Sequence, residues 1–181
     1  MTVQGVLIKN KVVVAKKFDE VYKEKYYGKI IDSGDKEQLD LSLIEAMHLL
    51  NKGELILKDG KKKLKKDDAF LKFCAVDDEF PQKYTVYADL RERGYIVKSG
   101  FKFGTHFRVY SRGVNPYKEG PKHQKEHTKW VVHAVPENYT LSYQEMSRAV
   151  RLAQNIRTKM LWAVVDSENE PTYYEIVRIR P

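Results

Sequence analysis

The fold follows from residues 142–166, which have the sequence SYQEMSRAVRLAQNIRTKMLWAVVD. Ser142 and Glu145 have the spacing of a capping box, which predicts that a helix begins there. The run from Leu161 to Asp166 is apolar and predicts a buried strand directly after the helix. The helix is expected over 143–159, because apolar residues recur at helical spacing at Met146, Ala149, Val150, Ala153, Ile156 and Met160.

Strands and helices alternate on both sides of this unit, which predicts an α/β or α+β protein. The acidic, proline-containing stretch Asp77–Pro81 interrupts the periodicity. We therefore expect a small mixed α/β domain over 1–80 and an α/β domain over 81–181. In the second domain we expect a helix at 82–93 and strands at 95–99, 105–110, 129–135 and 173–179. In the first we expect strands at 3–8, 11–15 and 54–57, and helices at 42–51 and from Asp67 or Asp68 to about Val76.

Composition limits the classes of partner and site. The chain has 181 residues, 33 Lys and Arg against 25 Asp and Glu, and a net charge of +8. This excess favours a polyanionic partner, either nucleic acid or an anionic membrane surface. The single cysteine, Cys74, excludes an internal disulfide and a four-cysteine zinc site. The apolar runs are too short to span a bilayer and no signal-peptide pattern opens the sequence, so we expect a cytoplasmic protein.

Familiar nucleotide and metal motifs are absent from the sequence. It contains no Walker loop, no Rossmann glycine fingerprint and no His-Glu-x-x-His helix. Carboxylates are scattered in the second half, which argues against a magnesium site. His123 and His127 are four residues apart, but they lie in a Pro- and Gly-rich stretch, so a metal site there is the weaker interpretation.

Tyr110 and His127 stand at the two ends of a long polar loop, residues 111–126. A histidine where a loop enters a strand can be a general acid or base, or simply a surface residue. Tyr110 is either a reactive group or an aromatic that anchors the sheet edge. Loops of this length are usually functional or mobile.

The predicted long helix carries cations on its polar face. At about 100° per residue, Arg151 aligns with Thr158 and Arg148 with Lys159. This ridge either binds an anion or complements the helix dipole. A tyrosine, a histidine and a cation are the groups that RNA cleavage without a metal requires.

Several segments resemble the archaeal tRNA-splicing endonucleases, in order along nearly the whole chain. The resemblance is carried by GYIVKSGFKFGTHFRVY (94–110), EHTKWVV (126–132), SRAVRLAQNIR (147–157), LWAVVD (161–166), YYE (173–175) and LSLIEA (41–46). It implies a mixed α/β N-terminal domain and a C-terminal domain with a restriction-endonuclease-like α/β sheet.

The same resemblance implies a metal-independent, cofactor-free RNA endonuclease. Such an enzyme removes introns from precursor tRNA at bulge-helix-bulge junctions and leaves a 2′,3′-cyclic phosphate and a 5′-hydroxyl. Tyr110 would be the general base and His127 the general acid, with Tyr117 a lesser candidate for the tyrosine role. Arg151 would grip a bulge base. Arg148, from the basic ridge of the helix and not from the resemblance, is the second candidate RNA contact.

The chain departs from the family at the third catalytic residue. The family has a lysine after the arginine of its Val-Arg-Lys segment, and here Thr158 follows Arg157. We expect Lys159 to replace that lysine, because a long stem at a fraying helix end can bridge an offset of one residue. The alternative is an active site without this cation, in a non-catalytic RNA-binding or structural subunit of a heteromeric enzyme.

The resemblance also implies assembly as a dimer of dimers. An acidic loop of one subunit would insert into a basic cleft of another, and Asp166, Glu168 and Glu170 fit that loop. The chain length suits a homotetramer or the catalytic subunit of a heterotetramer. A metal-dependent nuclease on a similar fold is a third alternative, and it would require clustered carboxylates.

Overall fold

The computed structural model describes residues 2–34, 36–121, 123 and 126–179. The chain divides into two compact units, with the boundary between Pro81 and Gln82. Within the described ranges, the strands form one six-stranded and one five-stranded sheet, so the predicted α/β class is confirmed. No helix in these ranges is long and apolar enough to cross a membrane.

The N-terminal unit is built on the six-stranded sheet. Its strands are β1 (Val3–Ile8), β2 (Lys11–Val14), β3 (Lys29–Ser33), β4 (Lys36–Ser42), β5 (Leu55–Asp59) and β6 (Lys62–Lys63), in the order β3-β4-β2-β1-β5-β6. Two α-helices, α1 (Leu43–Asn51) and α2 (Lys66–Cys74), and a short π-helix, Glu20–Glu24, accompany it. The Glu45 carboxylate closes the α1 capping box with Ser42 and also accepts the backbone N–H of Gly28 at 2.9 Å.

The C-terminal unit contains the five-stranded sheet in the order β11-β10-β9-β8-β7. Only β9 and β10 run parallel, and the other neighbours are antiparallel. Its elements are α3 (Phe80–Glu92), which begins before the unit boundary, β7 (Ile96–Ser99), β8 (Phe107–Tyr110), β9 (Trp130–Pro136), α4 (Tyr143–Asn155), β10 (Lys159–Val165) and β11 (Pro171–Ile176).

Helix α4 covers one face of this sheet. Its buried Val150 and Ala153 pack against Val131 of β9 and against Met160 and Trp162 of β10. Helix α3 covers the other face, where Tyr87 lies against Phe107 with 5.8 Å between ring centroids. A hydrogen bond from the Tyr173 hydroxyl to the Asp89 carboxylate, 2.6 Å, joins α3 to β11.

The structure corrects the predicted end of the long helix. Helix α4 ends at Asn155 rather than at position 159. Arg157 takes a left-handed φ of 56°, and the N–H groups of Arg157 and Thr158 bond the carbonyls of Gln154 and Ala153. This is a Schellman ending with arginine where glycine is usual. Consequently Lys159 begins β10 instead of ending a helix.

Two further differences lie in the N-terminal unit. Helix α2 begins at Lys66, so the predicted start at Asp67 or Asp68 is wrong, and its N-cap Lys65 makes no side-chain cap bond. The β3–β4 hairpin completes the sheet edge in a region where the sequence pattern predicts no strand.

We expect Ser142→Ala to destabilise the C-terminal unit by about 1 kcal/mol, because the Ser142 hydroxyl accepts the N–H of Glu145. Both tryptophans, Trp130 and Trp162, lie in this unit, so their fluorescence during urea unfolding measures the change. The matched control is Ser147→Ala, an exposed position within α4 that makes no cap. Equal effects of the two substitutions would contradict a capping role.

Candidate active site

The candidate site lies at one end of the five-stranded sheet. Strands β7, β9 and β10 begin there, while β8 and β11 finish there, because only β9 and β10 are parallel. Tyr110 is the last residue of β8, Trp130 the first of β9 and Lys159 the first of β10. The fold therefore places the predicted residues Tyr110 and Lys159, which are far apart in sequence, at the same end of the sheet.

Tyr110 lies on the sheet face that α4 covers elsewhere. Residues paired across a ladder share a face, and consecutive residues alternate. Val109 pairs with Trp130, so Tyr110 points to the opposite face from Trp130. The Tyr110 side chain is 5% exposed, and the Arg108 guanidinium lies 6.0 Å from its ring centroid.

His127 is exposed, just before β9. The Lys129 N–H donates to the Val109 carbonyl at 2.7 Å, so β8 and β9 remain paired to within two residues of His127. Val109 is next to Tyr110 in the chain. The structure therefore brings the predicted Tyr–His pair to the same strand junction.

The loop before His127 is held by an ion pair. Lys118 donates to the Glu126 carboxylate at 2.5 Å, and that carboxylate also accepts the backbone N–H of His123 at 2.8 Å. The hydrogen bond from Lys118 lowers the pKa of Glu126. Among the described residues, no group of three or more His, Cys, Asp or Glu side chains is placed to hold a metal ion.

The structure does not bring Lys159 to Tyr110. Lys159 pairs with Trp130 across the β9–β10 ladder, so its side chain lies on the opposite face from Tyr110. Its ammonium donates to Glu175 Oε1 at 2.6 Å, and Glu175 Oε2 accepts the Trp130 indole N–H at 2.8 Å. The predicted geometry, a lysine swinging in from a helix end, is therefore wrong.

Thr158 is the position at which the resemblance led us to expect a lysine. The side chain is 8% exposed, and its hydroxyl has no hydrogen-bond partner within the described part of the chain. Thr158 lies between α4 and β10, and its N–H donates to the Ala153 carbonyl at 2.9 Å, which places it on the α4 side of the sheet. A buried hydroxyl without a partner is unfavourable, so this position is unusual for a purely structural threonine.

The remaining predicted residues lie elsewhere in the unit. Arg148 and Arg151 are exposed on α4. The acidic segment forms the β10–β11 turn at the far end of the sheet from Tyr110. There the Asp166 carboxylate accepts the N–H groups of Glu168 and Glu170 at 2.9 Å each, so Asp166 shapes the turn, while both glutamates are exposed.

One cation on the Tyr110 face, Lys98, was not predicted from the sequence as a site residue. Lys98 pairs with Arg108 across β7 and β8, and its ammonium donates to the Tyr117 hydroxyl at 2.7 Å. The signal was present in the alternation of the β7 residues. Placing Lys98 on the Tyr110 face requires the register between β7 and β8. The alternation of residues along one strand does not show that register.

Comparison with known proteins adds a family match over both units. The model of the tRNA intron endonuclease N-terminal domain matches residues 3–70. The model of the tRNA intron endonuclease catalytic C-terminal domain matches residues 80–173, which include Tyr110 and His127.

Individual relatives extend this similarity over most of the chain. A tRNA-splicing endonuclease of Thermococcus kodakarensis is 42% identical over 156 residues, which are 86% of this chain and 84% of the relative. A tRNA-splicing endonuclease of Thermococcus onnurineus is 41% identical over 161 residues, which are 89% of this chain and 86% of the relative. A tRNA-splicing endonuclease of Methanosarcina mazei is 40% identical over 88% of this chain but only 43% of its own length.

The Glu175 carboxylate, at the same end of the sheet as Tyr110, gives the stability of the fold a testable dependence on pH. Hydrogen bonds from Lys159 and then Trp130 lower the pKa of Glu175. A lowered folded-state pKa stabilises the fold above the unfolded pKa of about 4.3, and this contribution disappears as the pH falls through the folded value. We expect Glu175→Gln to lower the free energy of unfolding at pH 7, and we expect this effect to shrink as the pH falls below about 4.

Urea unfolding at each pH measures this difference. Glu137→Gln, which removes an exposed carboxylate at the far end of the sheet, is the control. A Glu175→Gln effect that stays constant from pH 7 to pH 2 would contradict an ionic origin.

Proposed function

The chain belongs to the tRNA intron endonuclease family, and on this premise we propose how it cuts its tRNA substrate. It cleaves precursor tRNA at bulge-helix-bulge junctions without a metal ion and leaves a 2′,3′-cyclic phosphate and a 5′-hydroxyl. The reaction takes place in the cytoplasm, where precursor tRNA is processed. The observation that carries the proposal is the position of Tyr110 and His127 at one strand junction.

The chemistry requires two proton transfers. Tyr110 takes the proton of the ribose 2′-hydroxyl, and the 2′-oxygen attacks the adjacent phosphorus. The bond from phosphorus to the 5′-oxygen breaks, and His127 gives a proton to that leaving oxygen. Imidazole is suited to this step because it changes protonation state near neutral pH. Because the nucleophile is a 2′-hydroxyl, the substrate must be RNA.

The charge that develops on the phosphorus oxygens requires a cation. The sequence nominates Lys159, and this role is open to it only if its ammonium leaves Glu175 and crosses to the other face of the sheet. Arg108 and Lys98 already share the face of Tyr110. We therefore favour these two cations for charge stabilisation and assign Lys159 no part in the chemical step.

RNA binding and subunit assembly are the remaining parts of the proposed function. Arg151 and Arg148 are exposed on α4 and bind the RNA next to the cut, where guanidinium groups can stack on a bulge base. The protein assembles as a homotetramer, a dimer of dimers. The exposed Glu168 and Glu170 are the candidate contacts with a basic surface of a second copy.

A non-catalytic role in a heteromeric enzyme is the second candidate, because Thr158 provides no ammonium. The two functions differ in one observable. The catalytic proposal requires that the purified protein alone cuts a bulge-helix-bulge RNA, whereas a non-catalytic subunit binds it and leaves it intact.

We expect cleavage in EDTA that is lost in Tyr110→Phe and in His127→Ala, each by about 10²–10⁴-fold in single-turnover rate. Labelled RNA resolved on a gel gives the rate, and resistance of the 3′ end to phosphatase identifies the cyclic phosphate. Tyr117→Phe is the matched control, since it removes the other candidate hydroxyl. Retained cutting in Tyr110→Phe with loss in Tyr117→Phe would transfer the role to Tyr117.

We expect Thr158→Lys to raise the single-turnover rate at saturating RNA, because it puts an ammonium on the Tyr110 side of the strand. Lys159→Gln should leave that rate within about threefold of the wild type, since its ammonium lies on the other face. A loss in Lys159→Gln comparable to that in Tyr110→Phe would instead identify Lys159 as the catalytic cation. Thermal unfolding of both variants controls for misfolding.

A further inference from the structure

We propose that three cations gathered around the rings of Tyr95 and Trp130, at the end of the sheet where β8 finishes, bind the phosphate backbone of the RNA away from the reacting phosphate. These basic strip residues are Arg112, Lys129 and Lys159, supported by the rings of Tyr95 and Trp130. The inference rests on the proposed function for the identity of the RNA. It assigns a second contact surface, separate from the α4 arginines.

Aromatic rings hold the first two cations in place. The Arg112 guanidinium lies 5.6 Å from the Tyr95 ring centroid, and the Lys129 ammonium lies 5.2 Å from it. Lys129 also lies 3.9 Å from the Trp130 centroid. The two rings meet edge to face with centroids 5.4 Å apart. Rings that pre-order the cations reduce the entropy lost when they bind an anion.

Glu175 joins the third cation to this stack. One of its oxygens accepts Lys159 and the other accepts the Trp130 indole N–H. Lys159, Arg112 and Lys129 are all exposed. The basic strip therefore presents three cations and one carboxylate to solvent.

The basic strip begins beside the catalytic pair. Arg112 follows Tyr110 by two residues, and Lys129 follows His127 by two residues. From Tyr95 at β7 to Glu175 at β11, the strip crosses the whole sheet end, about 19 Å at the usual strand spacing of about 4.8 Å. At about 3.4 Å per phosphate, one strand of a duplex carries about six phosphates over that length. RNA held at Tyr110 and His127 can therefore continue along the strip.

The arrangement favours phosphate over base recognition. Lys129 covers the Trp130 ring, and Tyr95 carries two cations, so the strip offers charge rather than open rings. Arginine and lysine heads match phosphate oxygens. The contact should therefore be independent of RNA sequence and sensitive to salt.

The experiment measures RNA binding rather than cutting. An inactive Tyr110→Phe/His127→Ala background binds a bulge-helix-bulge RNA at a series of KCl concentrations. Adding Arg112→Gln or Lys129→Gln should each make the negative slope of log K against log salt concentration shallower by about 0.7–0.9. The loss of affinity that each substitution causes should therefore be about fivefold to tenfold larger at 0.1 M than at 1 M KCl. Lys102→Gln is the control, because Lys102 is exposed at the opposite end of the same sheet.

Glu175→Gln supplies a test of opposite sign. It removes the carboxylate that holds Lys159 and leaves an amide oxygen for Trp130, so RNA binding should strengthen and its salt slope should steepen. A structural role alone would not strengthen binding. Circular dichroism checks that each variant is folded.

The inference is overturned if Arg112→Gln and Lys129→Gln have the same salt slope as Lys102→Gln. It is also overturned if these substitutions leave RNA binding unchanged and instead weaken self-association in sedimentation, since the surface would then bind another copy of the chain. If the wild type binds RNA through the strip but does not cut it, the proposed function fails and the strip stands.

Discussion

The parallel pairing of β9 with β10 is the constraint on which the rest of the C-terminal unit depends. Parallel neighbours need a crossover, and α4 provides it while burying Val150 and Ala153 against Val131 and Met160. The crossover returns the chain to the same end of the sheet. Antiparallel β8 finishes there, so Tyr110 meets the segment that carries His127 without any interaction between the two side chains being needed.

Local signals made much of the fold predictable. The two capping boxes at Ser42 and Ser142 are both present and mark where α1 and α4 begin. The end of α4 gave no such signal, because Ile156 and Met160 continue its apolar stripe and Arg157 takes the left-handed position where glycine usually marks a stop. The β3–β4 hairpin was missed because its strands alternate weakly between apolar and polar residues.

For the candidate site, too, local positions could be predicted from the sequence and contacts between strands could not. Tyr110 and His127 could be placed from their positions at a strand end and a loop end. The face on which Lys98 lies and the contacts of Arg112 and Lys159 could not, since each depends on how neighbouring strands are paired. A register is fixed by buried faces and turn geometry together, and no single segment contains that information.

The meaning of the Thr158–Lys159 pair depends on the kind of backbone that carries it. At a helix end, neighbouring residues are separated by about 100°, and a four-carbon stem can offset that angle. In a strand, neighbours point to opposite faces, so a shift of one residue moves the charge through the sheet. Because α4 ends at Asn155, Lys159 follows the strand rule. Glu175 then holds its ammonium beside Trp130, on the sheet face opposite Tyr110. The positive charge of Lys159 therefore does not contribute to the Tyr110 face.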